Sequence, residues 1–120
     1  MFLCIDKGRL GILQRIKKFP LLERVIETRI GANDGIVYSV NLLQHWKRYI
    51  TTVPSKQVED NPPSSELSPC GETYSIHATV SITAAVAIQA FRAFIEKNDE
   101  FHNETIIQMY PFLGVLGFKY

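Results

Sequence analysis

The chain has 120 residues, a net charge of +1, 46% hydrophobic residues and 21% charged residues. This length fits a single domain, and the composition is that of a globular protein, which excludes wholesale disorder. Cys4 and Cys70 stand far apart and outside any C-x-x-C pattern, so no disulfide scaffold is expected. We therefore expect an intracellular protein, cytoplasmic or else mitochondrial or nuclear.

The charge is distributed unevenly along the chain. Residues 1–48 carry nine Lys and Arg against four acidic residues, whereas residues 49–120 carry four against eight. Such asymmetry is typical of a basic binding face, but also of two halves that attract each other within one fold. The second interpretation is favoured because neither half is extreme.

Apolar residues in the N-terminal part recur at helical spacing. Leu10, Leu13 and Ile16 predict a helix between Arg9 and Lys18. A second helix is predicted to begin at Pro20, which fits the first turn of a helix, and to end before Gly31. Its stripe consists of Leu22, Ile26 and Ile30.

Residues 31–35 predict a turn, followed by a longer segment with helical periodicity. Its apolar positions are Ile36, Val40, Leu43, Trp46 and Ile50. Residues 36–38 alone would also suit a short strand. The length of the segment favours a helix from Ile36 to Thr52.

Residues 53–72 contain four prolines and four serines and predict a long loop. This loop divides the single domain, residues 1–120, into a basic helical half at 1–52 and an apolar half at 73–120. Residues 73–82 alternate between apolar and polar side chains, which fits a strand or the start of a helix. From Ala84 to about Lys97 the alanine content predicts a helix that is apolar on every face and therefore central.

A short helix is predicted from Asn103 to Met109, and residues 112–118 form an apolar tail or strand. The predicted fold is mainly α, with four to five helices around a long central loop and at most one short strand. An α+β fold is the alternative.

The sequence contains none of the common nucleophile, zinc-protease, P-loop or dinucleotide motifs. Residues 99–104 concentrate ligand-type side chains, but a helix would place Asp99 and His102 on one face and the two glutamates on another. We expect a solvated loop there, with no metal and no cofactor. Catalysis is unsupported.

Two patterns suggest other partners. A nucleic-acid contact could use basic residues of the N-terminal half, some of them interleaved with aromatic side chains, namely Arg15, Lys17, Lys18, Lys47 and Arg48. The sequence pI of 7.8 is low for such a domain. The segment Ile76 to Ile95 has nearly the length of a bilayer span, so an accessory subunit of a membrane complex is a further alternative, although a buried core helix is favoured.

The predicted function is a non-enzymatic interaction or structural subunit, or an adaptor, that binds other protein chains or itself. So small a chain has too much apolar surface in its C-terminal third to cover alone. The residues predicted to carry the interaction are Phe91, Phe94, Ile95, Phe112, Leu116 and Phe118.

Overall fold

The computed structural model describes residues 1–4, 8–19, 22–53 and 77–120. These residues form a five-stranded mixed sheet and three helices, which is an α+β fold. The prediction of a mainly helical domain with four to five helices is therefore wrong, and the α+β alternative describes the molecule.

The sheet lies between two helical layers. Its strands are β1 (Phe2–Leu3), β2 (Val25–Ile30), β3 (Asp34–Val40), β4 (Glu104–Gln108) and β5 (Gly114–Phe118), in the spatial order β1-β2-β3-β4-β5. β1 runs parallel to β2, and the other neighbours are antiparallel. The helices are α1 (Arg9–Ile16), α2 (Leu42–Ile50) and α3 (His77–Ile95). α1 and α2 cover one face of the sheet, and α3 covers the other.

The predicted helix at residues 20–30 is wrong, because its second half is β2. Its stripe misled because residues four apart, such as Ile26 and Ile30, share a face in a strand as well as in a helix. β2 is rich in β-branched residues, which suit a strand. It forms a hairpin with β3 in which the Gly31 N–H donates to Asp34 O at 2.8 Å.

The predicted helix at residues 36–52 is two elements. Ile36 and Val40 lie in β3, and the helix begins only after Asn41. The Asn41 side chain caps α2 by accepting hydrogen bonds from the N–H groups of Leu43 at 2.9 Å and Gln44 at 3.2 Å. An asparagine at this position starts a helix and leaves the preceding residues free to extend as a strand.

The C-terminal part matches the sequence more closely. The helix predicted from Ala84 is present as α3, and residues 77–82 belong to it. The short helix predicted at residues 103–109 is wrong, because β4 lies there. The apolar tail is a strand, β5. Residues 54–76, which include all but the first residue of the predicted loop, lie outside the described residues.

Two apolar cores lie on opposite faces of the sheet. The core under α1 and α2 consists of Leu3, Leu13, Val25, Tyr38, Val40, Leu42 and Tyr49. The core under α3 consists of Ile26, Val37, Ala87, Ala90 and Ile107. α3 approaches β3 so closely that a Cβ on Gly35 would overlap the Thr83 side chain. The buried residues of α3 lie on one side of the helix, so it is not the central element, buried on every face, that its composition predicts. They are Thr79, Thr83, Ala87, Ala90 and Ala93.

A buried ionic group fixes α1 and α2 to the sheet. The Glu27 side chain is fully buried, and its Oε1 lies 2.6 Å from Nε of both Arg9 and Arg29. The Tyr49 hydroxyl donates a hydrogen bond to Glu27 Oε2. Arg29 also stacks on Tyr38, with Cζ 4.4 Å from the ring centroid. Three segments far apart in sequence thus share one buried carboxylate.

Candidate functional site

β5 is an edge of the sheet whose inner side pairs with β4. Phe118 O accepts a hydrogen bond from the Asn103 N–H at 2.9 Å, so the backbone groups of Phe118 point towards β4. Because the direction alternates along a strand, the N–H and C=O groups of Val115 and Gly117 point away from the sheet. No strand among the described residues pairs with these groups.

The side chains at this edge are apolar and exposed. Exposure reaches 79% at Phe112, 62% at Val115 and 57% at Leu116. We call the apolar edge the surface formed by Phe112, Leu113, Val115, Leu116 and Phe118, all of which are exposed. A contiguous exposed apolar surface of this kind marks an interaction site more often than a solvent-facing one.

β5 lacks the features that usually prevent a sheet edge from pairing. Its five residues, Gly-Val-Leu-Gly-Phe, include no charge and no proline. Natural edges are normally protected by charged side chains, prolines, bulges or a covering element. The nearest cation in sequence, Lys119, follows the strand and lies 4.0 Å from Glu100. Among the residues that the structure describes, nothing pairs with the outer side of β5, and this edge is open to strand addition along its length.

The structure separates the predicted interaction residues into two surfaces. Phe112, Leu116 and Phe118 belong to the apolar edge, whereas Phe91 and Ile95 are exposed on α3. Phe91 packs against Phe2 of β1, with ring centroids 5.5 Å apart. β1 and β5 are opposite edges of the sheet, so the two groups do not form one site. The sixth residue, Phe94, is half-buried beneath the Arg24 guanidinium, whose Cζ lies 5.5 Å from the ring centroid.

The predicted nucleic-acid contacts lie on the layer formed by α1 and α2. All five basic residues, Arg15, Lys17, Lys18, Lys47 and Arg48, are exposed. Lys17 Nζ lies 4.5 Å from the centroid of the Trp46 ring, which brings the end of α1 next to α2. Arg48 stacks instead on Tyr120, with its Cζ 5.4 Å from the ring centroid. These contacts hold two of the cations against aromatic rings of the protein itself.

A polar cleft of about 600 Å³ lies at the end of the sheet where β2 starts and β5 ends. Its lining includes Arg24, His45, Asp99, Lys119 and Tyr120. The His45 ring packs edge-on against Tyr120 at 5.8 Å, and its Nδ1 accepts a hydrogen bond from the Asn41 N–H at 3.2 Å. Burial lowers the pKa of His45, and the nearby Arg24 charge lowers it further. A neutral imidazole with Nδ1 already occupied has one N–H left to donate.

The other titratable group of the cleft is committed to a structural contact. The Tyr120 hydroxyl donates to Glu104 Oε2 at 3.0 Å. Burial raises the pKa of Tyr120, and the Glu104 carboxylate raises it further. The hydroxyl therefore stays protonated at neutral pH and is not a base. The hydrogen bond between Tyr120 and Glu104 therefore anchors the chain after β5 and does not serve acid–base chemistry.

The structure also bears on the metal and membrane interpretations of the sequence. Within the described ranges, no group of three or more His, Cys, Asp and Glu side chains is placed to hold a metal ion. Residues 96–103 form turns and bends between α3 and β4, where a loop was predicted. α3 is long and apolar enough to cross a membrane by length and composition, criteria that the core helix of a soluble protein also meets.

Sequence reasoning missed the buried Glu27 group and the edge position of β5. The sequence did contain a signal for the Glu27 group. Glu27 and Arg29 carry opposite charges and lie two residues apart, so in a strand they share one face. No comparable signal marks an edge strand. β5 pairs with the nearby β4, and nothing in its own sequence shows that no further described strand pairs with its other side. The chain matches no family model, and no curated protein or solved structure proved similar to it.

Proposed function

We propose that this protein is a non-enzymatic interaction subunit that binds an extended segment of another polypeptide along β5. The observation that carries the proposal is a sheet edge with which no described strand pairs and which has exposed apolar side chains on both of its faces. Val115 projects to the α3 side, and Leu116 and Phe118 project to the other side. Main-chain hydrogen bonds would provide affinity, and the alternating apolar side chains would select the partner strand.

The chemistry of the edge defines the partner. An uncharged strand with apolar side chains favours a segment that is itself extended, uncharged and apolar at alternate positions. The alternative of a nucleic acid is less well supported, because phosphate contacts need cations and β5 contributes none. The basic residues of α1 and α2 lie on another element of the fold.

Photo-crosslinking in the native cell tests the proposal. A photoreactive phenylalanine analogue would replace Phe112, which is 79% exposed at the apolar edge. The matched control is Phe19, which is 64% exposed next to the basic end of α1. We expect position 112 to become crosslinked to a polypeptide, and this crosslink should still form when the irradiation is done at high salt. Position 19 should give no crosslinked polypeptide.

A variant makes the test specific for strand addition. Val115→Pro removes an outward N–H without removing a bond to β4, and a proline is tolerated at such a position of an edge strand. It should abolish the crosslink at position 112 while circular dichroism remains unchanged. A salt-sensitive nucleic-acid adduct at position 19, with no polypeptide at position 112, would overturn the proposal and support the alternative.

A further inference from the structure

We infer that the strand received by β5 is β5 of a second copy of this chain, paired antiparallel about a two-fold axis at Leu116. This inference rests on the proposed function and identifies the partner. Pairing of identical strands across a two-fold axis is an isologous interface, in which each residue meets the same set of positions in the other copy. Such a partner requires that β5 be complementary to itself.

The direction of the backbone groups meets this requirement. The outward groups of β5 belong to Val115 and Gly117, as described above. With the axis at Leu116, Val115 of one copy faces Gly117 of the other, and each such pair exchanges both of its hydrogen bonds. If the axis lay at Val115 or Gly117 instead, part of β5 would pair with residues outside the strand. The register centred on Leu116 alone pairs Gly114–Phe118 with itself over its whole length.

The largest side chain of the strand finds space in the same register, because Phe118 faces Gly114. Val115 faces Gly117, where the His102 ring of the same chain already covers the glycine, so Val115 would pack against that ring. An aromatic ring that covers a cross-strand glycine is a known stabilising arrangement in sheets. A side chain on Gly114 would meet no atom of its own chain, which leaves space for the incoming ring. Leu116 meets its own copy at the axis.

The electrostatics are permissive as well. None of the five paired positions carries a charge, so no like charges oppose each other across the axis. In the dimer, Leu116 and Phe118 of both copies would lie on the same face of the joined sheets and form one continuous apolar surface. The structure thus assigns to this edge a partner with the same sequence.

Sedimentation of the purified full-length chain is the first test. We expect a concentration-dependent monomer–dimer equilibrium. Leu116→Lys removes two apolar side chains from the axis and places two ammonium groups there, and it should raise the dimer dissociation constant by about a hundred-fold or more. The matched control is Leu43→Lys on α2, at a leucine that is more exposed still, which should leave the constant unchanged.

Charge rescue tests the position of the axis. Leu116→Glu should also dissociate the dimer, whereas an equimolar mixture of Leu116→Lys and Leu116→Glu should restore it as a heterodimer. Only pairing that brings position 116 against its own copy predicts this rescue. Circular dichroism should show full secondary structure for each variant, because the Leu116 side chain is exposed in the monomer.

The outcomes separate this inference from the proposed function. A purified chain that stays monomeric at high micromolar concentration, while position 112 crosslinks a different polypeptide in the cell, overturns the homodimer and keeps the interaction function. Dimerisation that resists Leu116→Lys also overturns the inference, because it places the interface elsewhere. Absence of both the dimer and the crosslink removes both proposals.

Discussion

The two halves of the sheet show opposite relations between composition and burial. β2, with the sequence Val-Ile-Glu-Thr-Arg-Ile, contains two charges, yet most of it is buried between α3 and the layer of α1 and α2. β5 contains no charge and is almost entirely exposed. The position of a strand in the sheet, not its hydrophobicity, therefore decides whether it is buried. An apolar strand left at the edge is available to another chain.

Glu27 of β2 offers the strongest test of this contrast between the buried strand and the exposed one. In Glu27→Gln the charges of Arg9 and Arg29 lose their buried counterion, and we expect the free energy of unfolding to fall by about 3–5 kcal/mol. Urea denaturation measures the change. The control is Glu96→Gln, which breaks an exposed pair with Arg92 and should cost no more than about 0.5 kcal/mol. Equal costs for the two variants would show that the Glu27 group does not stabilise the covered half.

One cross-strand pair lies at the boundary between the part of the sheet that is buried under α3 and the exposed edge strand. Ile107 of β4 is fully buried, and its cross-strand partner Val115 of β5 is 62% exposed. Ile107→Ala should lower the free energy of unfolding by about 2–5 kcal/mol, because it leaves a cavity under α3. Val115→Ala should change it by less than about 0.5 kcal/mol in dilute solution. Thermal or urea unfolding checks both, and a large cost at Val115 would mean that the edge is covered within the chain.

Two glycines give a smaller contrast. Gly35 lies against Thr83 of α3, so Gly35→Ala forces the helix away from β3 and should cost about 1–3 kcal/mol. Gly114 faces open space, and Gly114→Ala should stay within about 0.5 kcal/mol for the monomer. The same Gly114→Ala change should weaken the proposed dimer, because it fills the space for Phe118 of the second copy. Urea unfolding measures the effect of both changes on the monomer, and sedimentation measures the effect of Gly114→Ala on the dimer.

The smallest effect is expected at His45 of α2, which packs against Tyr120, two residues after the end of β5. Its pKa in the folded chain is lowered by burial and by Arg24. The unfolded chain, with an ordinary histidine pKa of about 6.5, therefore binds more protons below that pH. The contribution of His45 to stability is present above pH ~6.5 and is lost as the pH falls through the lower, folded-state value.

NMR titration of the imidazole measures this shift directly. Arg24→Gln should move the His45 pKa back towards its ordinary value, because one of its two causes is removed. His45→Gln should flatten the dependence of the free energy of unfolding on pH below pH ~6.5, the ordinary histidine pKa, because the lowered folded-state pKa is then removed. A folded-state pKa at or above the ordinary value would contradict the geometry of this boundary.

The sequence by itself determined those elements whose signals are local. The helical spacing of Leu10, Leu13 and Ile16 places α1, and the alanine-rich run places α3, because helix formation depends on contacts within a turn or two. The apolar run at residues 112–118 is plain from the sequence, but the structure leaves most of its side chains exposed. The same composition did not reveal that these residues form a strand edge.

The tertiary structure alone decided between strand and helix at Ile26, Ile30, Ile36 and Val40. Residues four apart share a face in both elements, so the spacing is ambiguous until a neighbouring strand is present. β2 pairs with β1 and β3, and β3 pairs with β2 and the distant segment 104–108. Likewise, Glu27 is buried only because Arg9 and Tyr49 arrive from α1 and α2, and β5 is exposed only because no further strand of the described chain follows it in the sheet. Pairing across the sheet is non-local, and no local pattern records which strand ends at its edge.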